Sequence, residues 1–274
     1  MGRPMAGHLA ARGLLAVVGN RSIDKAETLA SELGVRAAQS AKDFADCDVV
    51  ALCVTADADV LANVDALAAV IQPGSVVIDH STVSSATAQA AAARLAAKGI
   101  GFLDAPVSGG VEGAINGKLS IMVGGSAADL AKAQTALQAY GLRITHMGEV
   151  GTGQATKAVN QVLVAGIAHA VSEGLALGEK LGLDPERLLP TLGAGAAGSW
   201  FLEKRGPTML RDEFKVGFKL ALLHKDLKIV DAMAQAAGTR RDIIQKSLTD
   251  YAQLMAEGYG DDDISALIRL KRRG

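Results

Sequence analysis

The sequence predicts an α/β protein, a doubly wound parallel-sheet domain followed by an all-α domain. In the first half, short β-branched runs alternate with Ala-rich stretches, the pattern of a parallel sheet covered by helices. After Gly148 the strand-like runs nearly vanish and long helical patterns take over. The chain of 274 residues also holds 50 alanines and 31 glycines. Alanine favours helix and glycine marks tight turns, so close-packed helices joined by glycine loops are expected.

Each element follows in order. The opening residues 1–7 are followed by a helical stretch to Arg12, and 14–18 read as a continuous apolar strand ending at Gly19-Asn20. Residues 24–33 form a helix, with Asp24 in its first turn, where a carboxylate meets the positive helix end, and Gly34 just past its last turn. A buried strand at 49–54 leads to a helix at 58–69, and the Pro73-Gly74 turn to a strand at 75–78. Helix 84–98 stops near Gly99; strands follow at 101–104 and at 119–123, before Gly124-Gly125. These elements make a domain of residues 1–148. From 154 to 181 there is no proline, and Val159, Val162, Leu163, Ile167, Val171 and Leu175 recur at helical spacing. At 1.5 Å per residue such a helix spans roughly 40 Å, the length of a spine. Further helices are expected near 184–192, 198–209, 218–237, 241–257 and 264–271, completing a domain of residues 149–274.

Composition excludes several functions. With 28 Lys+Arg against 29 Asp+Glu, no net field draws the chain to nucleic acid or an anionic membrane. Nine aromatics are too few for a base-stacking surface. Cys47 and Cys53 sit in an apolar stretch and read as buried free thiols, which suits a reducing, cytoplasmic setting. No segment reaches 18 uninterrupted apolar residues, and the N-terminal residues lack the apolar core of a secretion signal. His80, His146, His169 and His224 show no paired ligand spacing, so no metal is expected.

The segment from Leu15 through Ala-Val-Val-Gly to Asn20, Arg21 and Ser22 has the form of a dinucleotide-binding strand and the loop that meets the adenosine ribose. An NAD-specific loop carries an acidic residue there. A guanidinium beside an amide and a hydroxyl suits a 2′-phosphate instead, which favours NADP, with NAD as the alternative. Arg21 read alone is equally a solvated surface arginine. The strand and Gly-x-Gly-x-x-Gly turn that normally precede this segment do not occur in the chain.

Here the sequence resembles the β-hydroxyacid dehydrogenase family, which includes 3-hydroxyisobutyrate dehydrogenase, tartronate semialdehyde reductase and glyoxylate reductase. Its members open with an apolar strand and Gly-Leu-Gly-x-Met-Gly-x-Pro-Met-Ala; Met1-Gly2-Arg3-Pro4-Met5-Ala6 enters that motif late, with Gly2 matching the third glycine. The resemblance implies a Rossmann-type domain, then a helical domain like the C-terminal domain of 6-phosphogluconate dehydrogenase. Asp79-His-Ser-Thr82 resembles the family's Asp-x-Ser-Thr segment, whose Thr lies beside the nicotinamide, although Ser84 stands where a Pro is usual. Asp104-Ala-Pro-Val-Ser-Gly-Gly110 matches the substrate-binding motif. Its Ser108 offers a hydroxyl to a substrate carboxylate, and Gly109 and Gly110 admit backbone N–H groups to the same oxygens. The resemblance implies cofactor contacts at Gly2, Asn20, Arg21, Ser22, Val54, Thr55, Thr82, Phe218 and Lys225.

Lys157 lies in the first turns of an otherwise Ala- and Val-rich helix, with Asn160 and Gln161 three and four residues on. A surface lysine is the ordinary outcome; an inward one would be desolvated, which favours the neutral amine and lowers its pKa toward a value useful in proton transfer. Gly151-x-Gly153-x-x-x-Lys157-x-x-Asn160 is similar to the family's catalytic signature, whose lysine is the general acid/base. The resemblance assigns Asn160 with Lys157 to catalysis and Gln161 to the substrate; the Asn160-Gln161 pair is similar to the tartronate semialdehyde branch. Phe214-Lys-Val-Gly-Phe218 and Lys225-Asp226-Leu227 match a further segment, whose lysine closes over cofactor and substrate.

The implied reaction is reversible hydride transfer between NADP(H) and a short β-hydroxy acid or 3-oxo acid, such as tartronate semialdehyde, glyoxylate or 3-hydroxyisobutyrate. A small carboxylate substrate and a homodimer or homotetramer are the expected partners. A rival expectation is a catalytically silent member of the fold, acting as a binding or oligomerisation module, because the missing strand is central and its loss leaves two unpaired strand edges. On that reading the length is short by one strand and its turn, roughly ten to fifteen residues.

Overall fold

The structure, a computed structural model, describes residues 1–273. Contacts divide the chain into two compact units, Met1–Lys157 and Ala158–Gly274.

In the first unit, helix α1 (Gly2–Ala11) is followed by β1 (Val17–Val18), α2 (Ile23–Leu33) and β2 (Arg36–Ala37). Gly34 closes α2 in the left-handed conformation at φ 67°, the role its position after Leu33 suggested. Then come β3 (Val49–Leu52), α3 (Asp57–Ala68), β4 (Val76–Asp79), α4 (Ser85–Ala96), β5 (Gly101–Asp104) and β6 (Val107–Ser108). The unit ends with α5 (Gly110–Ile115), β7 (Leu119–Gly124), α6 (Ala127–Leu137), β8 (Gly141–Gly148) and the first turns of α7 (Thr152–Lys180).

Strands β3, β4 and β5 are parallel and in register, Val50 beside Val77 beside Phe102. The runs of β4 and β5 are apolar up to Asp79 and Asp104 because both faces are covered, whereas on β3 Val50 and Leu52 are buried and Ala51 is exposed. Val76, Ile78 and Leu103 enter the core that α1 and α6 share, while Val77 and Phe102 enter the core under α3 and α4. Strand β7 joins β5 antiparallel through Asp104 and Gly124, and β8 runs parallel to β7. The sheet order is therefore β3-β4-β5-β7-β6, with β8 on β7.

Strands β1 and β2 form a separate parallel pair. The strand expected over 14–18 is correspondingly reduced to Val17–Val18, and Leu14 is exposed, because only Arg36–Ala37 offers it a hydrogen-bonding partner. The edge of β3 away from β4 has no strand on it among the described residues, which leaves Ala51 and Cys53 exposed. The expectation of two buried thiols is thus corrected: Cys47 is half-buried and Cys53 exposed, both unbridged.

The second unit holds the rest of α7, then α8 (Pro185–Gly193), α9 (Trp200–Leu210), α10 (Leu220–Ala236), α11 (Asp242–Ala256) and α12 (Ile268–Lys271). Ala165, Ala168, Leu175 and Ala176 of α7 pack into one core with Leu202, Met209, Leu223, Leu227 and Tyr251. By length and composition α7 could cross a bilayer. Its buried positions, however, include Lys157, Gln161 and Ser172 and line protein interior.

Candidate active site

The motif glycines explain how the site is built. A Cβ on Gly153 would fall on Asp104 O and 2.5 Å from Met122 O, both backbone atoms of the sheet. A Cβ on Gly124 would lie 2.9 Å from Gly153 N. The glycines at these two positions let the first turn of α7 rest directly on β5 and β7. Asp104, at the end of β5, then caps that turn from outside: Gly151 N donates to its Oδ1 and Gln154 N to its Oδ2, each at 2.8 Å. Burial pushes the Asp104 carboxyl up from its ordinary value, and these N–H donors oppose the rise.

Lys157, one turn further along, is 7% exposed, the inward option of the two that its spacing left open. Its Nζ donates to Val107 O at 2.9 Å, in the strand that ends at Ser108. Gly109 and Gly110 follow with φ of 125° and 61°, a path that glycine adopts without strain. The first unit thereby places the ammonium at the strand that leads into Ser108-Gly109-Gly110.

Val54 and Thr55 follow β3, and Thr82 follows β4, at the carboxyl ends where ligands bind in open α/β sheets. Val54 N donates to Ser81 Oγ at 2.9 Å, so the two loops are tied together. Asn20, Arg21 and Ser22 stand on an exposed turn after β1, where Ser22 N donates to Asn20 Oδ1 at 2.9 Å. Gly2 opens α1, whose first turn has no acidic residue to oppose an anion at its N-terminal N–H groups. These positions fit a dinucleotide whose hydride chemistry the cofactor itself would supply.

In the second unit Asn160 Nδ2 donates to Gln161 Oε1 at 2.8 Å, and Gln161 Nε2 donates to Asp226 Oδ2 at 2.7 Å. Asp226, 3% exposed, also pairs through Oδ1 with Lys225 Nζ at 2.9 Å. Phe218 is held by its N–H, which donates to Asp263 Oδ2 at 3.0 Å alongside that of Gly217. Sequence reasoning missed the roles of Asp104, Gln154, Asp226 and Asp263. Asp104 and Gln154 stand in apolar or glycine-rich runs and Asp226 and Asp263 among other charged residues, so nothing local marks them, and the partners that give them these roles lie 45 to 73 residues away.

Below the Thr82 loop, Asp79 accepts from Ser81 N at 2.9 Å through Oδ1, while its Oδ2 is buried without a partner. Burial pushes this carboxyl up to about 7. A folded-state value above the unfolded one stabilises fully below about pH 4, and the stabilisation is lost as pH rises through 7. Asp79→Asn removes that dependence. The stability of the variant relative to wild type should therefore be about 3 kcal/mol more favourable at pH 8 than at pH 5, the two units between 5 and 7 at 1.36 kcal/mol each. Urea unfolding at both pH values checks this; an equal difference at both would show that Asp79 is ionised throughout.

His80 is buried beside it and structural. Its Nδ1 donates to Ala105 O at 2.6 Å, which leaves Nε2 to accept from the Tyr140 hydroxyl at 2.8 Å. Burial holds the imidazole down at about 4.

Known proteins resemble the chain over almost all of its length. Residues 1–148 match the family described as the NAD binding domain of 6-phosphogluconate dehydrogenase. Residues 151–271 match that described as NAD-binding of NADP-dependent 3-hydroxyisobutyrate dehydrogenase. An uncharacterized oxidoreductase of Synechocystis is 38% identical, covering 99% of this chain and 95% of the relative. An NAD-dependent L-serine dehydrogenase of Pseudomonas aeruginosa is 34% identical over 98% of this chain and 94% of its own. A structure of Mycobacterium tuberculosis 3-hydroxyisobutyrate dehydrogenase with L-serine superposes with a TM-score of 0.91 at 31% identity, covering 99% of this chain and 96% of that one. The chain therefore belongs to the β-hydroxyacid dehydrogenase family, as an NAD(P)-dependent oxidoreductase acting on a CH–OH group.

Proposed function

We propose that the protein interconverts a short 3-oxo acid and its β-hydroxy acid with NADP(H), as a cytoplasmic enzyme. The observation that carries this reading is the buried Lys157 ammonium donating to Val107 O, one residue before Ser108. In reduction, Lys157 gives its proton to the alkoxide oxygen as that oxygen gains charge. Ser108 donates its hydroxyl to the carboxylate, and the backbone at Gly109 and Gly110 approaches the same oxygens. Val107 O holds the ammonium in place, and Asn160, oriented by Gln161, supplies a further donor to the substrate hydroxyl. In oxidation the neutral amine takes the proton back.

Tartronate semialdehyde and 3-hydroxyisobutyrate belong to this class, and glyoxylate, a 2-oxo acid one carbon shorter, is a further candidate from the family resemblance. The L-serine named for two relatives adds a β-hydroxy amino acid of the same size. Arg21, on its exposed turn without an acidic neighbour at Asn20 or Ser22, supports NADP over NAD. The exposed stripe Val159, Leu163 and Ile167 on α7 supports self-association. The test is a panel of these compounds with both cofactors, on protein whose mass is read by light scattering. We expect turnover of at least one of them, faster with NADP(H), from a species of two or four chains. Equal use of NAD would overturn the cofactor reading, and a monomer the assembly.

A further inference from the structure

We propose that Gln154 is a positioning residue, which fixes the loop bearing Thr82 against the helix turn bearing Lys157. The inference rests on the reading of Lys157 as the proton donor. Gln154 lies on α7 one turn before Lys157 and is 1% exposed. Its side chain satisfies both backbone groups that flank Thr82. Nε2 donates to Ser81 O at 2.7 Å, and Oε1 accepts from Val83 N at 3.2 Å. A carbonyl only accepts and an N–H only donates, so the orientation of the amide is fixed by its partners.

The same residue is held from the other side, since Gln154 N donates to Asp104 Oδ2 at 2.8 Å. Ser81, gripped by the amide, in turn receives Val54 N on its Oγ. One hydrogen-bonded chain thus runs from the end of β3 through the end of β4 to the α7 turn, all inside the first unit. Small displacements of reacting groups, about 1 Å, cost up to about 100-fold in rate, so an amide that sets this spacing acts on turnover without touching substrate.

The test uses Gln154→Glu and Gln154→Ala. A protonated glutamic acid has the shape of glutamine, donates to Ser81 O and accepts from Val83 N. An ionised one only accepts, and sets a charged oxygen against the Ser81 carbonyl. Asp79, Asp104 and Lys157 are the titratable groups on the packed elements around it; they are common to wild type, so rates are read as the ratio of variant to wild type at each pH. At pH 8 both variants should lose about 10- to 100-fold in kcat with KM within a few-fold, and a larger deuterium isotope effect on hydride transfer. Toward pH 5.5 the Gln154→Glu ratio should climb back toward one while the Gln154→Ala ratio stays low.

A second readout needs no turnover. The Thr82 methyl resonance, observed in methyl-labelled protein, should shift in Gln154→Ala and return to its wild-type position in Gln154→Glu on acidification. A pH-independent Gln154→Glu ratio, or a Thr82 methyl that stays at its wild-type position in both variants at pH 8, overturns the proposal. Should Gln154→Ala fail to fold, the acid-restored Gln154→Glu resonance alone carries the decision. A wild type without activity on every compound of the panel would instead overturn the function, and the methyl shift would still report on the clamp.

Discussion

Lys157→Ala should lower kcat by about 10²- to 10⁴-fold, the range for losing a positioned proton donor, while the dissociation constant for NADPH changes little. On the proposed mechanism the alkoxide formed in reduction would have no other buried ammonium described beside Val107 to protonate it, so the loss would fall on the chemical step. Lys157→Arg should be almost as slow. Its guanidinium keeps the charge and can reach Val107 O, but it does not give up a proton near neutrality. Small primary amines added to the alanine variant should restore part of the rate. Steady-state kinetics with fluorescence titration of NADPH decide the matter, and near wild-type turnover in Lys157→Ala would remove the lysine from the mechanism.

Gly153→Ala should destabilise the protein by about 3 kcal/mol or more, a large effect for one methyl group. Two contributions compete. Alanine in a helix is worth about 1 kcal/mol over glycine, which would stabilise. Against this, the new Cβ would meet Asp104 O and Met122 O, the latter at 2.5 Å, and strand carbonyls inside a sheet have no room to withdraw. The clash wins, and relief requires lifting α7 away from the Asp104 carboxylate, which also forfeits two hydrogen bonds. Gly7→Ala makes the contrast: Gly7 lies in α1 with nothing within 4 Å of its would-be Cβ, and the substitution should be neutral or stabilising by up to about 1 kcal/mol. Urea unfolding of both variants tests the pair, and a neutral Gly153→Ala would mean that the helix start does not bear on the sheet.

How far the molecule was legible in its sequence depended on the range of each interaction. Helix α2 was readable because its signals are local, Asp24 at one end and Gly34 at the other. Strands β4 and β5 declared themselves as apolar runs because both their faces are covered. Strand β8 gave no such run: along Gly141–Gly148 no residue is fully buried, and Arg143, Thr145, His146 and Met147 are exposed. It exists because β7 offers it a parallel partner. The inward course of Lys157 could be framed from the Ala and Val around it, but the choice between surface and interior required the acceptor at Val107, fifty residues away. Gln154 and Asp104 lay beyond reach for the same reason, since their partners are 73 and 50 residues distant. The motif showed that glycines stand at 151 and 153, and the sheet showed why the second of them excludes a side chain.

The capping of α7 by Asp104 also bears on local motion. Helix ends ordinarily fray, because their first N–H groups lack partners and exchange with solvent at little cost. At this end Gly151 and Gln154 donate to a buried carboxylate, and Gly153 lies against strand backbone. The amide hydrogens here should open with the sheet itself rather than ahead of it. Lys157 is thus carried by a helix start that is among the last parts of its unit to loosen, and its amine keeps its bearing while exposed turns such as that of Arg21 remain free to adapt.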